Sequence, residues 1–106
     1  MSFTRVASLD DLWLGEMAAY LVRGTKVVLV RTEEAVVAFE DRCAHLGVPL
    51  SQGSLDGNVL TCSAHLWQYD ARTGRGINPR GACLKAFATK VDGDHVFVDV
   101  QTGRDE

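Results

Sequence analysis

The sequence predicts an all-β domain built as a small sandwich or barrel of antiparallel sheets. Short apolar runs rich in Val, Phe and Tyr recur at close intervals, Gly- and Asp-rich turns punctuate them, and only one stretch suits a helical turn. With 106 residues the chain fits one domain, 1–106, with a modest core for its surface. No internal repeat, low-complexity tract or linker divides it.

The elements follow in order. Strands are expected over Phe3 to Ala7, Met17 to Val22, Lys26 to Val30 and Ala35 to Phe39. Further strands are expected over Asn58 to Cys62, Leu66 to Tyr69, Ala86 to Val91 and His95 to Val100. Arg23-Gly24-Thr25 and Asp92-Gly93-Asp94 read as hairpin turns. The helical turn is expected near Leu9 to Leu14, capped by Ser8 with Asp11 three residues on, and ended by Gly15. Three loops have unusual content: Cys43 to Leu50, the surroundings of Cys62-Ser-Ala-His65-Leu-Trp67, and Thr73 to Pro79. Loops held by a rigid sheet are where binding chemistry usually sits.

Composition narrows the function. Hydrophobic residues make up 46% and charged residues 24%, as in ordinary soluble proteins. Apolar runs such as Val27 to Val30 fall far short of the roughly 20 residues that span a bilayer. Met1-Ser2-Phe3-Thr4-Arg5 lacks an apolar signal core, so a cytoplasmic location and no membrane partner are expected. Net charge is −3, and no stripe of Lys or Arg suits nucleic acid. A mildly acidic surface is compatible with docking onto basic patches of protein partners. Three cysteines, Cys43, Cys62 and Cys83, without an export signal argue against a disulfide scaffold.

The chemistry concentrates in two half-motifs. Cys43-x-His45 and Cys62-x-x-His65 are separated by sixteen residues, Leu46 to Thr61. Two thiolates and two imidazoles satisfy an iron–sulfur cluster in which one iron takes sulfur ligands and the other nitrogen. Each half-motif sits on its own loop and supplies one of each. A lone Cys is usually a small buried hydrophobe, but paired half-sites at this spacing outweigh that reading. Zinc also accepts two Cys and two His. Against it stand the ligand order Cys, His, Cys, His and a β-rich chain too large for a finger. A Cys nucleophile with a His base would leave the second pair unexplained.

On these residues the chain resembles the Rieske family, whose motif is Cys-x-His followed at a similar interval by Cys-x-x-His. The resemblance implies a Rieske-type fold of three stacked antiparallel sheets with the cluster-binding loops at one tip. It implies one [2Fe–2S] cluster per chain, with Cys43 and Cys62 on the inner iron and His45 and His65, through Nδ1, on the outer iron. A third, proline-containing loop at Gly76 to Pro79 would cover the cluster. Ser8-Leu9-Asp10-Asp11-Leu12-Trp13, Gly15-Glu16-Met17, Ala64-His65-Leu66-Trp67 and Gly76-Ile77-Asn78-Pro79 are similar to the ferredoxin component of toluene-type (aromatic or alkene) diiron monooxygenases. That resemblance implies a monomeric electron carrier in aromatic hydrocarbon catabolism, with no catalytic residue of its own. Its partners would be an NADH-dependent flavin/iron–sulfur reductase and a diiron hydroxylase. The ferredoxin of a Rieske aromatic-ring dioxygenase is the alternative, and a zinc-stabilised binding module is a more distant one.

Departures from the high-potential branch of the family predict a low potential. Val48 and Ala64 stand where that branch has a disulfide, and Trp67 where it has a serine donor to sulfur. Tyr69 cuts the other way, matching a hydroxyl donor of that branch. Trp67 is expected either to shield the cluster or form part of a docking surface, or else to pack its loop, and Leu46 and Pro49 to shape the first loop and keep water off the sulfurs. Cys83 is expected to be a free thiol and His95 an ordinary strand residue. Glu16, Asp41 and Asp70 read as solvated surface.

Overall fold

The computed structural model describes residues 3–33, 35–42, 49–62, 67–78 and 80–105, the last five by their backbone path. Ten antiparallel strands are described: β1 (Thr4–Ser8), β2 (Met17–Val22), β3 (Thr25–Arg31), β4 (Val36–Glu40), β5 (Ser54–Asp56), β6 (Val59–Thr61), β7 (Gln68–Asp70), β8 (Gly76–Asn78), β9 (Lys85–Asp92) and β10 (His95–Asp105). They form a six-stranded sheet, β1-β10-β9-β4-β3-β2, and a four-stranded sheet, β5-β6-β7-β8. No helix among the described residues is long and apolar enough to cross a membrane.

Alternation along β3 and β4 explains the layering, because successive side chains leave a strand on opposite faces. Val27, Leu29, Val36 and Ala38 join Ala7, Val22, Phe87, Val96 and Val98 in one core, to which all six strands of the large sheet contribute. The sheet thus curls into a near-barrel, and Arg23 at the β2–β3 turn donates from Nε to Thr4 Oγ1 of β1 at 3.0 Å across the gap. Val28, Val30 and Phe39 point the other way. They form a second core with Leu50, Leu60, Cys62, Tyr69, Ala71 and Leu84, and so fasten the small sheet to the large one. The run Val27 to Val30 is therefore fully buried on both faces. Each such side chain contributes about 1.5–3 kcal/mol of burial free energy as an upper estimate.

The large sheet contains the three-strand units β2-β3-β4 and β9-β10-β1, joined by a two-residue seam, Ala38↔Phe87 and Phe39↔Ala86. That seam merges two of the three sheets implied by the family resemblance into one hydrogen-bonded ladder. The eight expected strands are present with ends shifted by a residue or so, apart from the longer β10. Two more, β5 and β8, were not expected. The segment read as a third loop supplies β8, paired to β7 through Gln68↔Asn78 and Tyr69↔Gly76. The helical turn is shorter than expected, a 3-10 turn over Leu9–Asp11. Leu12 leaves it in extended backbone and drives its side chain into the first core, 1% exposed.

Two glycines are demanded by the backbone. Gly24 follows Arg23 in the β2–β3 turn with φ of 81° and 51° respectively, the doubly left-handed pair of a type I′ hairpin. Gly74 has φ +85°, and a Cβ there would stand 2.9 Å from Phe39 Cε1. Gly74→Ala is therefore expected to cost about 2–3 kcal/mol, from the left-handed backbone and from overpacking the second core. Gly24→Ala, with open space around its Cβ, should cost about 1 kcal/mol. Thermal unfolding of the two variants tests that order.

Candidate metal centre

The second half-motif sits on the β6–β7 hairpin. Its ladder runs Val59↔Asp70, Leu60↔Tyr69, Thr61↔Gln68. One step further, the Cys62 amide donates to the Trp67 carbonyl at 2.8 Å. That bond closes a neck around residues 63–66, the segment that carries His65. The Cys62 side chain is fully buried in the second core. Of the four predicted ligands it alone falls within the described residues; Cys43, His45 and His65 lie outside them, as do Leu46, Val48, Ala64 and Pro79.

The first half-motif leaves the large sheet at the end of β4. Asp41 still belongs to the ladder, its amide donating to the Lys26 carbonyl at 3.0 Å. Its carboxylate is buried, 7% exposed, and takes two hydrogen bonds from one residue: Ser51 N–H at 2.9 Å and Ser51 Oγ at 2.8 Å. This pair closes the chain between residues 41 and 51, a loop that contains Cys43 and His45. Asp41 thus fastens the loop, where the sequence reading made it solvated surface. A charged acceptor on two donors is among the stronger hydrogen-bond arrangements available to a side chain.

The two necks meet. After a 3-10 turn over Leu50–Gln52, the Gly53 amide donates to the Leu50 carbonyl at 2.9 Å. The Gly53 backbone then lies flush against Thr61, so a Cβ on Gly53 would collide with the Thr61 carbonyl oxygen. Thr61 immediately precedes Cys62. Leu50, fully buried, packs in the same core as Cys62. Both half-motifs therefore spring from one end of the fold, with their bases in backbone contact.

A third segment rises beside them, since β8 carries the chain to Asn78 opposite Gln68, next to Trp67. Trp67 is half-buried against the second core, and its carbonyl closes the hairpin neck. Its packing role is therefore shown. Tyr69 is fully buried in the same core. Asp70 organises the turn below, accepting from Arg72 N–H at 2.9 Å and pairing with the Arg72 guanidinium at 3.1 Å. The hydrogen bond to Arg72 holds the Asp70 carboxyl below its ordinary value, against a smaller upward push from burial. Glu16 is exposed but accepts from Trp13 N–H at 2.7 Å. Cys83 is a half-buried free thiol bridged by backbone to Arg75. His95 lies at the opposite end, where its Nδ1 accepts from Arg5 Nε at 2.9 Å.

The described part of the site suits a [2Fe–2S] cluster. A buried thiol among Leu50, Leu60 and Tyr69 is screened from water, and deprotonated thiolate is the soft ligand iron favours. The Cys62 amide is already engaged by Trp67. Among the described residues, which include Cys62 alone of the four, no group of three or more His, Cys, Asp or Glu is placed to hold a metal.

Known proteins give the same picture. The model of the Rieske [2Fe–2S] domain matches residues 2–88. The ferredoxin component of the alkene monooxygenase system of Xanthobacter autotrophicus is 38% identical over 95% of this chain and 84% of its own. The ferredoxin of carbazole 1,9a-dioxygenase from Nocardioides aromaticivorans superposes with a TM-score of 0.84 at 31% identity, over 92% of this chain and 97% of that one. A chain from the complex of reduced oxygenase and oxidised ferredoxin in carbazole 1,9a-dioxygenase gives a TM-score of 0.84 at 26% identity, over 98% and 95%.

Three variants test the necks. Asp41→Ala should cost about 2 kcal/mol by stranding the Ser51 donors, and Asp41→Asn should recover most of that. Gly53→Ala should force the two loop bases apart and speed the loss of iron to a chelator several-fold. Unchanged release from both Asp41→Ala and Gly53→Ala would remove the necks from the site.

Proposed function

The chain belongs to the Rieske [2Fe–2S] domain family, and from that premise we propose that it is the ferredoxin of a multicomponent oxygenase. It is an electron carrier and not a catalyst. In the finer reading it takes one electron from an NADH-dependent flavin/iron–sulfur reductase in the cytoplasm and delivers it to the diiron hydroxylase of an aromatic or alkene monooxygenase of the toluene type. The observation that carries this reading is the 38% identity, over nearly the whole chain, to a monooxygenase ferredoxin. The likeness to a carbazole dioxygenase ferredoxin at 31% identity favours a second reading, delivery to a Rieske dioxygenase. The oxygenase–ferredoxin complex among its structural relatives supports a terminal oxygenase as partner in either case.

The ligands proposed are Cys43, His45, Cys62 and His65. The cluster, when bound, supplies one reversible electron. The protein's part is to hold its ligands still and limit water. Cys62 is held by a core residue's packing on one side and a backbone bond on the other. The Asp41–Ser51 pair fixes the reach of the loop with Cys43 and His45. Little rearrangement is then needed as charge comes and goes. Because the Cys62 amide is spent on Trp67, it adds little stabilisation to extra negative charge on sulfur. That supports a potential toward the low end of the Rieske range of about −150 to +300 mV.

The dithionite-reduced protein should give a Rieske EPR signal with matching iron and sulfide counts, and His65→Ala should abolish it. A retained signal would remove His65 from the ligand set, and voltammetry well above zero would reject the low potential. Turnover with a diiron hydroxylase against a Rieske dioxygenase separates the two readings.

A further inference from the structure

The net charge of −3 is unevenly spread over the fold. At the end away from the site, the first 3-10 turn and the β9–β10 turn present Asp10, Asp11, Asp92 and Asp94, with Glu16 and Glu33 near the outer ends of β2 and β3, all exposed. The backbone gathers these segments, since Leu9 N–H donates to the Asp94 carbonyl at 2.8 Å and Gly15 N–H to the Arg31 carbonyl at 2.8 Å. The cations there are engaged: Arg31 donates to the carbonyls of Leu9 and Leu12, and Arg5 to His95 and Ser8.

The site end is the reverse. Lys26 and Arg42 stand exposed on the flank where the first loop leaves β4, Arg80 follows β8, and Arg75 stands exposed just before β8, where its carbonyl accepts from Asp70 N–H at 2.8 Å. Among the described residues none of these four is in an ion pair, and Asp70–Arg72 is the salt bridge recorded. Of the described acids beside these four, Asp41 is buried on Ser51, Glu40 is half-buried, and Asp70 next to Arg75 is paired with Arg72. Between Arg75 and Arg80, Ile77 lies 44% exposed in a shallow groove of about 570 Å³ that they line with it. An apolar side chain between two free guanidiniums is the composition of a contact hot spot.

We propose that Lys26, Arg42, Arg75 and Arg80 form a positive collar around the electron-exit end, and that it docks onto an acidic surface of the terminal oxygenase, with Ile77 as the apolar anchor. This rests on the carrier reading above. It reverses the expectation drawn from net charge, that an acidic carrier seeks basic patches. The acidic far end and basic near end make the chain a dipole, which turns the correct end toward an anionic partner before contact. Solvent-exposed charges hold the pair weakly and salt screens them, as suits a carrier that must let go.

The test uses the cluster-loaded, reduced chain and two small oxidants, anionic [Co(EDTA)]⁻ and cationic [Co(phen)₃]³⁺. Each takes one electron from the protein as Co(III) becomes Co(II), followed by stopped-flow absorbance. As ionic strength rises from about 10 to 150 mM, the rate constant with the anion should fall several-fold and that with the cation should rise. Arg42→Glu/Arg80→Glu should invert both slopes. Opposite or flat slopes in the native chain would overturn the proposal, because net charge would then govern. Binding of the loaded chain to phosphatidylserine vesicles would assign the collar to a membrane and likewise overturn it. A chain that takes up no iron and sulfide fails earlier, in its absorbance before mixing, and sinks the carrier reading with the proposal.

Discussion

The backbone of Gly53 against the carbonyl of Thr61 is the contact on which the site depends. It lies one step beyond the Ser54↔Thr61 pair of β5 and β6 and sets the second end of the first loop against the base of the hairpin, without an intervening side chain. In the proposed ligand set each of the two segments contributes one thiol and one imidazole by sequence, so a shared centre would need both. What makes the approach possible is the doubly buried β3. Its Val28 and Val30 draw the small sheet in, while Val27 and Leu29 hold the near-barrel together. Asp41 and Ser51 then join the two ends of the segment that leaves β4.

Much of this was legible in the sequence, for identifiable reasons. The long strands are readable because valines and aromatics there face cores on one or both sides. The hairpin at Arg23-Gly24 is readable because the twist of two strands demands left-handed residues. The strands β5 and β8 are three residues each, like β6 and β7, but Ser54–Asp56 and Gly76–Asn78 lack the apolar or aromatic neighbours that mark Asn58 to Cys62 and Leu66 to Tyr69. Even so, Asp56-Gly57 carried a hairpin signal, and Gly57 takes φ 59° there. Asp41 was misread because its partner lies ten residues away, across a loop, and nothing local distinguishes a buried clamping carboxylate from a solvated one. The half-motif spacing was the most telling feature, since it reflects donor chemistry and not packing. The charge collar was hidden because net charge carries no information about which end of a fold a residue occupies.

Burial of Cys62 ties function to stability. A chain of 106 residues has little core to spare, and the proposed ligand Cys62 occupies part of its second core. A bound cluster that engages the native fold alone adds its binding free energy to folding.

The account stands or falls on two imidazoles from two different loops reaching one centre. The chain holds three histidines, and His95 is committed to Arg5 at the far end. Pulsed EPR of the reduced, loaded protein reads nitrogen couplings at the cluster directly. The account predicts couplings from two histidines, reduced to one in either His45→Ala or His65→Ala where a paramagnetic centre survives, and unchanged in His95→Ala. A native spectrum without two histidine nitrogens, or one altered by His95→Ala, would contradict it.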